Sequence, residues 1–157
     1  MLFDNQIVSW FADELHTDDL RRFKAKKGVS DFNTLWEALA ILVAVRLWRK
    51  DEHQALRLEV RSDSLGALSA VNKLASPDPK LNSIARELAL DCAFFYKEPD
   101  YFEHTPGVAN VIPDHLSRLK APTPSSFPSI LNGVNETAVQ TRDTLFWKSF
   151  KRPTDLK

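Results

Sequence analysis

Two periods of apolar and polar positions organise this chain. From Leu35 to Val45 nearly every residue is apolar on all sides of a helical wheel, which predicts a buried helix of about three turns. From Leu56 to Asp63 apolar and charged residues alternate, the pattern of a half-buried strand. Ser64 to Leu74 returns to helical spacing, with Leu65, Leu68, Val71 and Leu74 along one face. Ala75-Ser76-Pro77-Asp78-Pro79 predicts a turn, and Leu81, Ile84, Ala85, Leu88 and Cys92 mark the buried face of the helix that follows. A strand over about 100–104 is broken at Pro106-Gly107, because proline removes a donor and glycine admits positive φ. Asn110 then predicts a cap for a helix running about Val111 to Lys120.

Composition places these elements in one α/β domain. The chain has 157 residues, 43% apolar and 27% charged, which is room for a single core of ordinary character. A lone cysteine, Cys92, excludes an internal disulfide and any multi-cysteine zinc site. No apolar run reaches membrane-spanning length and the first residues lack the basic start of a signal peptide, so an intracellular setting, cytoplasm or nucleus, is expected with no membrane partner. After Lys120 the character changes. Residues 121–128 are rich in proline and serine and predict an extended linker, while Phe146, Trp147 and Phe150 are spaced for a short amphipathic helix docking on something. The expected division is therefore a domain over 1–119 and a linker with tail over 120–157.

The formal net charge is zero, which argues modestly against a free-standing nucleic-acid binder, since phosphate contacts dominate such affinity. The dense basic cluster is Arg21, Arg22, Lys24, Lys26 and Lys27, on a helix begun by Thr17 with Asp18 and Asp19 in its first turn. It reads either as a solvated face or as a patch that tracks phosphates.

Three acids stand out by position. Glu37 lies inside the buried helix, where desolvation requires a cation, a proton or a metal; Arg46 and Arg86 are candidate partners. Asp63 lies where strand meets helix, either as a helix cap or as a carboxylate at the strand edge where open α/β sheets place ligands. Asp114 starts the last helix, where the dipole favours negative charge. Ser62 and Ser64 with His104 could suggest a serine hydrolase, but the chain has no Gly-x-Ser-x-Gly elbow.

Taken in order, an acid in a buried helix, one at a strand end and one in a last helix resemble the ribonuclease H domain of retroelement reverse transcriptases of the gypsy or DIRS sort. The closing run carries most of the likeness: His104, Pro106-Gly107, Asn110, Asp114 and Leu116-Ser117-Arg118. The segments Thr34 to Ala40 and Val60 to Leu68 add to it, and the likeness spans roughly residues 1–119. It implies a ribonuclease H-like fold, a mixed central sheet flanked by helices. It also implies that Glu37, Asp63 and Asp114 hold two magnesium ions, with manganese as a substitute, and that His104 assists proton transfer or product release. Ser64, Asn110, Arg21, Arg22 and Lys24 would then contact nucleic acid. The implied reaction is hydrolysis of RNA in an RNA–DNA hybrid, with a neighbouring polymerase domain of the same polyprotein as partner. Magnesium suits such a site because it prefers oxygen ligands, and two ions about 4 Å apart stabilise both the attacking and the leaving oxygen.

One departure is large. The family's first strand carries a further aspartate that bridges both metals, and nothing here supplies it. Residues 1–11 resemble the end of the second strand, a turn at Asp4-Asn5, and the third strand, so Asp4 does not take that role. The first strand is expected to be missing, leaving unpaired backbone, exposed apolar surface and a chain that is marginally stable alone. Pro113 stands where the family carries alanine, a small departure because proline fits a helix's first turn. The alternative reading is a non-catalytic module of the same fold that binds nucleic acid or partners.

Overall fold

Local pattern decides most elements in the computed structural model, which describes residues 1–4, 6–48, 59–95 and 101–148. Strands β1 (Leu2–Phe3) and β2 (Gln6–Ile7) pair antiparallel around a turn in which Asp4 takes φ 49°, and β3 (Ser9–Trp10) follows. Helices α1 (Thr17–Phe23) and α2 (Asn33–Trp48) come next, then β4 (Glu59–Ser62), α3 (Leu65–Asn72) and α4 (Pro79–Phe95). The chain continues through β5 (Tyr101–His104), α5 (Val111–Ser117) and β6 (Asn135–Glu136). Residues 56–58, 100 and 150, which sequence placed in elements, lie outside the described residues, as does Asn5.

Helix α2 is the core. Its Leu35, Ala38, Leu39, Leu42 and Val45 are buried against Ala67, Leu68 and Val71 of α3, Ile84, Leu88 and Cys92 of α4, and Phe23. Burial on opposite sides of one helix is why this run lacks the polar face of a surface helix. Strands β4 and β5 pair in parallel, Val60 opposite Phe102 and Ser62 opposite His104. A parallel pair needs a long crossover. Here α3 and α4 supply it, with Val60 and Phe102 turned to the core. Arg61 faces the other way and ion-pairs with Glu103 at 2.9 Å and Glu59 at 2.6 Å.

The result is a mixed α/β structure with small parallel and antiparallel ladders. The expected single central sheet is replaced, among the described residues, by three two-stranded ladders, β1–β2, β3–β6 and β4–β5. A sheet joins only through a strand between its parts, and β4 has β5 as its one strand neighbour among the described residues. No helix among them is long and apolar enough to cross a membrane.

From residue 120 onward the structure departs from a linker. Ser125 N donates to Arg118 O at 3.3 Å and His115 Nδ1 bonds Ser126 O at 3.1 Å, so the proline-rich stretch lies along α5. Further on, Leu131 is buried, β6 pairs in parallel with β3, and Trp10 Nε1 donates to Val134 O at 3.0 Å. Arg142 then enters a buried site beside α1: its Nε and Nη2 donate to Asp19 at 2.8–3.0 Å, its Nη1 to Asp13, and its Nη2 to Glu14 O. Trp147, 1% exposed, meets Phe23 edge-on at 5.6 Å. Phe146 and Trp147 dock from a turn and not from the expected helix. Proline-rich sequence cannot build a core of its own, but here it spans the gap to residues that join an existing one.

Candidate carboxylate site for divalent cations

The end of the β4–β5 ladder is set by three hydrogen bonds. Thr105 N donates to Ser62 O at 2.9 Å, Ser64 N donates to Ser62 Oγ at 3.1 Å, and Ala67 N donates to Ser64 Oγ at 3.3 Å. The last makes Ser64 the cap of α3, which separates two readings that sequence left open. A cap needs a side-chain oxygen over the first helical turn, and Ser64 occupies that place. Asp63 is left exposed at the carboxyl end of β4, without an ion-pair partner among the described residues. Beside it runs the Pro106-Gly107 turn, where a Cβ on Gly107 would stand 3.6 Å from Asp63 Oδ2. His104, the last residue of β5, is exposed opposite Ser62.

Glu37 sits half-buried in the early turns of α2. Burial holds its carboxyl above the ordinary range, and the negative charges of Asp63 and Asp114 push it further the same way. Arg46, proposed from sequence as its partner, is engaged elsewhere. It follows Glu37 by nine residues, two and a half turns at 3.6 residues per turn, and so leaves α2 on the opposite side. There it bonds Asp91 at 2.6 Å and Glu87 at 2.7 Å, carboxylates 1% and 0% exposed; Lys148 Nζ joins Asp91 at 2.7 Å. Arg86 is exposed. Among the described residues Glu37 therefore has like-charged neighbours and no ion-pair partner, which is the environment a bound cation would relieve.

Asp114 stands exposed in the first turn of α5, with Arg118 donating to its Oδ1 from Nε at 3.0 Å and from Nη2 at 2.8 Å. Sequence placed Arg118 in the closing motif but not as a partner of Asp114; the i,i+4 spacing of opposite charges was the signal available. Helix α5 stops at Ser117, short of the expected Lys120. Asn110 is also corrected: its side chain makes no capping bond and its backbone is not extended. Its amide instead closes the turn onto Pro106 O and Gly107 O, and its carbonyl accepts from Asp114 N at 3.1 Å.

The three acids share one electrostatic neighbourhood but do not close into a compact ligand set. Among the described residues no group of three His, Cys, Asp or Glu side chains is close enough to hold a metal ion unaided. The basic cluster is dispersed. Helix α1 ends at Phe23 and Lys24 turns into the left-handed region at φ 47°, so Lys26 and Lys27 leave the helix. Arg21 pairs with Asp18 at 3.0 Å, Lys27 with Glu14 at 3.3 Å, and Arg22 lies over Trp147 at 4.5 Å. Much of that charge is answered within the chain.

No protein-family model matches this sequence, and no curated protein and no solved structure is similar to it. The functional reading rests on the site and on the motifs.

Proposed function

We propose that this chain is a ribonuclease H-like module of the retroelement reverse-transcriptase kind, in which cutting of the RNA strand of RNA–DNA hybrids is impaired unless a first-strand aspartate completes the metal site. One observation carries the reading: acids far apart in sequence, on α2, at the end of β4 and on α5, lie near enough for Asp63 and Asp114 to raise the pKa of Glu37. Ionising a half-buried carboxylate near two other acids is costly without a cation. Glu37, Asp63 and Asp114 are the residues that would hold magnesium or manganese, both suited to carboxylate oxygen. Bound there, the ions would supply Lewis-acid stabilisation of charge on phosphate oxygens.

The other residues take ordinary chemical parts. His104, the exposed last residue of β5, would assist proton transfer or product release in this reading. Arg118 neutralises part of Asp114 and would share that carboxylate with a cation. Gly107 leaves the approach to Asp63 open. With Arg21 and Lys27 paired internally, a neighbouring polymerase domain is the expected source of much of the grip on the hybrid. A second reading, a module that binds nucleic acid or partners without cutting, is favoured by the open spacing of the acids.

Cleavage of a labelled RNA–DNA hybrid in magnesium and in manganese separates the two. The assay compares this chain, the chain joined to an aspartate-bearing first strand, and each with Asp63→Asn. Metal-dependent cutting that falls at least about tenfold in Asp63→Asn, equivalent to roughly 1.4 kcal/mol, is the expected result. A folded, strand-joined protein that binds hybrid and never cuts it would leave the binding module as the function.

A further inference from the structure

We propose that the surface built by α1, α2 and α4 is a peptide-recognition site for a segment of the form Arg-x4-Trp-Lys. The chain's own Arg142 to Lys148 is the resident ligand, and a partner protein carrying the same basic and aromatic pattern binds by displacing it. The inference is independent of the carboxylate reading above.

The tail meets the rest of the chain through charged and aromatic anchors. Arg142 is buried, with Asp19 accepting at 2.8–3.0 Å and Asp13 accepting as well. Further along, Lys148 donates from its backbone N to Glu87 Oε2 at 2.9 Å and from Nζ to Asp91 Oδ1 at 2.7 Å. Arg46 donates to Phe146 O and lies over the Phe146 ring at 4.4 Å. Between these ends Trp147 packs against Phe23, with Arg22 over its ring. Acids of the body thus face cations of the tail at both ends, and an indole fills the space between them.

The tail resembles a bound ligand in how little of it is buried. Arg142 and Trp147 are buried, while Asp143, Thr144 and Leu145 between them are exposed. Arginine and tryptophan in desolvated pockets, ringed by weaker contacts, are the usual anchors of protein interfaces. The segment also holds its own shape. Asp143 Oδ1 accepts from Leu145 N at 2.7 Å and from Phe146 N at 3.3 Å, and Trp147 Nε1 donates to Arg142 O at 3.3 Å. With that turn in place Arg142 and Trp147 both reach α1, at Asp19 and Phe23, and less ordering is left for binding to impose. The core of the receiving body is largely its own: apart from Trp147, its buried cluster comes from residues between Phe23 and Cys92. A proline-rich stretch joins the two parts, and its Pro122, Thr123 and Pro124 are exposed.

The test uses the full chain with a protease recognition sequence inserted between Thr123 and Pro124 and cut after folding, together with a fluorescent synthetic peptide spanning residues 129–148. The cut fragment is expected to co-elute with the body, and the labelled peptide to replace it saturably. Peptides carrying Arg142→Ala or Trp147→Ala replace it at least about thirtyfold less effectively, the scale for removing an interface anchor or one partner of a buried charge pair. Uncut protein takes up the peptide at least about 100-fold less, because a short tether keeps the tail at an effective concentration of about millimolar. Release of the fragment without uptake of peptide, whether or not the body unfolds, overturns the proposal. So does a fragment that stays bound and does not exchange with excess peptide, which would mark the tail as a fixed part of the core. Equal uptake of the wild-type and substituted peptides, or equal uptake by cut and uncut protein, overturns it as well.

Discussion

Arg142→Leu is expected to lower stability by about 3–5 kcal/mol, the scale for leaving a buried charge without its partner. Asp19 is 0% exposed and receives three of the guanidinium's bonds, so the substitution strands a carboxylate that water cannot reach. Such a loss is a large fraction of the 5–15 kcal/mol that holds an ordinary domain together. Urea unfolding measures it. The double variant Arg142→Leu with Asp19→Leu should recover much of the loss, because replacing both charges by apolar groups is often close to neutral. A single-variant loss below about 1 kcal/mol would place the pair among exposed ones and mean that residues 121–148 are not docked in solution.

The same site predicts a response to acid. Burial pushes the Asp13 carboxyl up, but the Arg142 hydrogen bond and charge outweigh it and hold the group below its ordinary value. A depressed carboxyl adds stability above its unfolded pKa, and loses it as pH falls through the folded value. Acidification below the ordinary carboxylate range should therefore loosen the tail, read as growing protease sensitivity of residues 121–148.

The second large effect is expected at Glu37 and runs in the opposite direction. Its carboxyl is raised by burial first and by Asp63 and Asp114 next, so ionising it in the folded chain costs stability. A raised acid costs nothing below its unfolded pKa, and its full cost is present above the folded one. Glu37→Gln should therefore stabilise the protein by about 0.5–2 kcal/mol at neutral pH, a common gain when an unfavourable charge is removed. The gain should vanish as pH falls to the unfolded carboxyl value, about 4.3. Divalent cations should act in reverse: they stabilise wild type by about 2.7 kcal/mol at 100 times the dissociation constant, and the variant far less. Urea midpoints at neutral and acid pH, with and without Mn²⁺, read all four arms. A destabilised Glu37→Gln at neutral pH would show that Glu37 makes a favourable partnership in the native state, and the case for a repulsive acid cluster would fall.

These two sites show why stability and chemistry separate in this chain. Around Arg142, Asp19 and Trp147 the charges and rings are paired and buried, and substitutions subtract stability. Around Glu37, burial and the charges of Asp63 and Asp114 oppose ionisation, and removing the Glu37 carboxylate is expected to add stability. Sites kept at a cost to stability are where function is expected.

Sequence alone determined the elements whose pattern is local. The apolar run of α2, the spacing of α4, the alternation of β4 and the Pro106-Gly107 break after β5 each follow from neighbours a few residues away, and the structure forms each of them. The same reasoning put Leu65 on the apolar face of α3, yet it is 63% exposed, while Ala67, Leu68, Ala70 and Val71 form the buried face. It left Asp63 as either a helix cap or a carboxylate at the strand edge, and it drew a linker where a docked segment lies. Tertiary structure decided those points. Which serine oxygen stands over a helix, where Arg46 finds its acids, and that Arg142 reaches Asp19 across 123 residues depend on how elements pack. Periodicity records which face of an element is buried. The partner that buries it is chosen by shape and charge brought together only when the chain closes on itself.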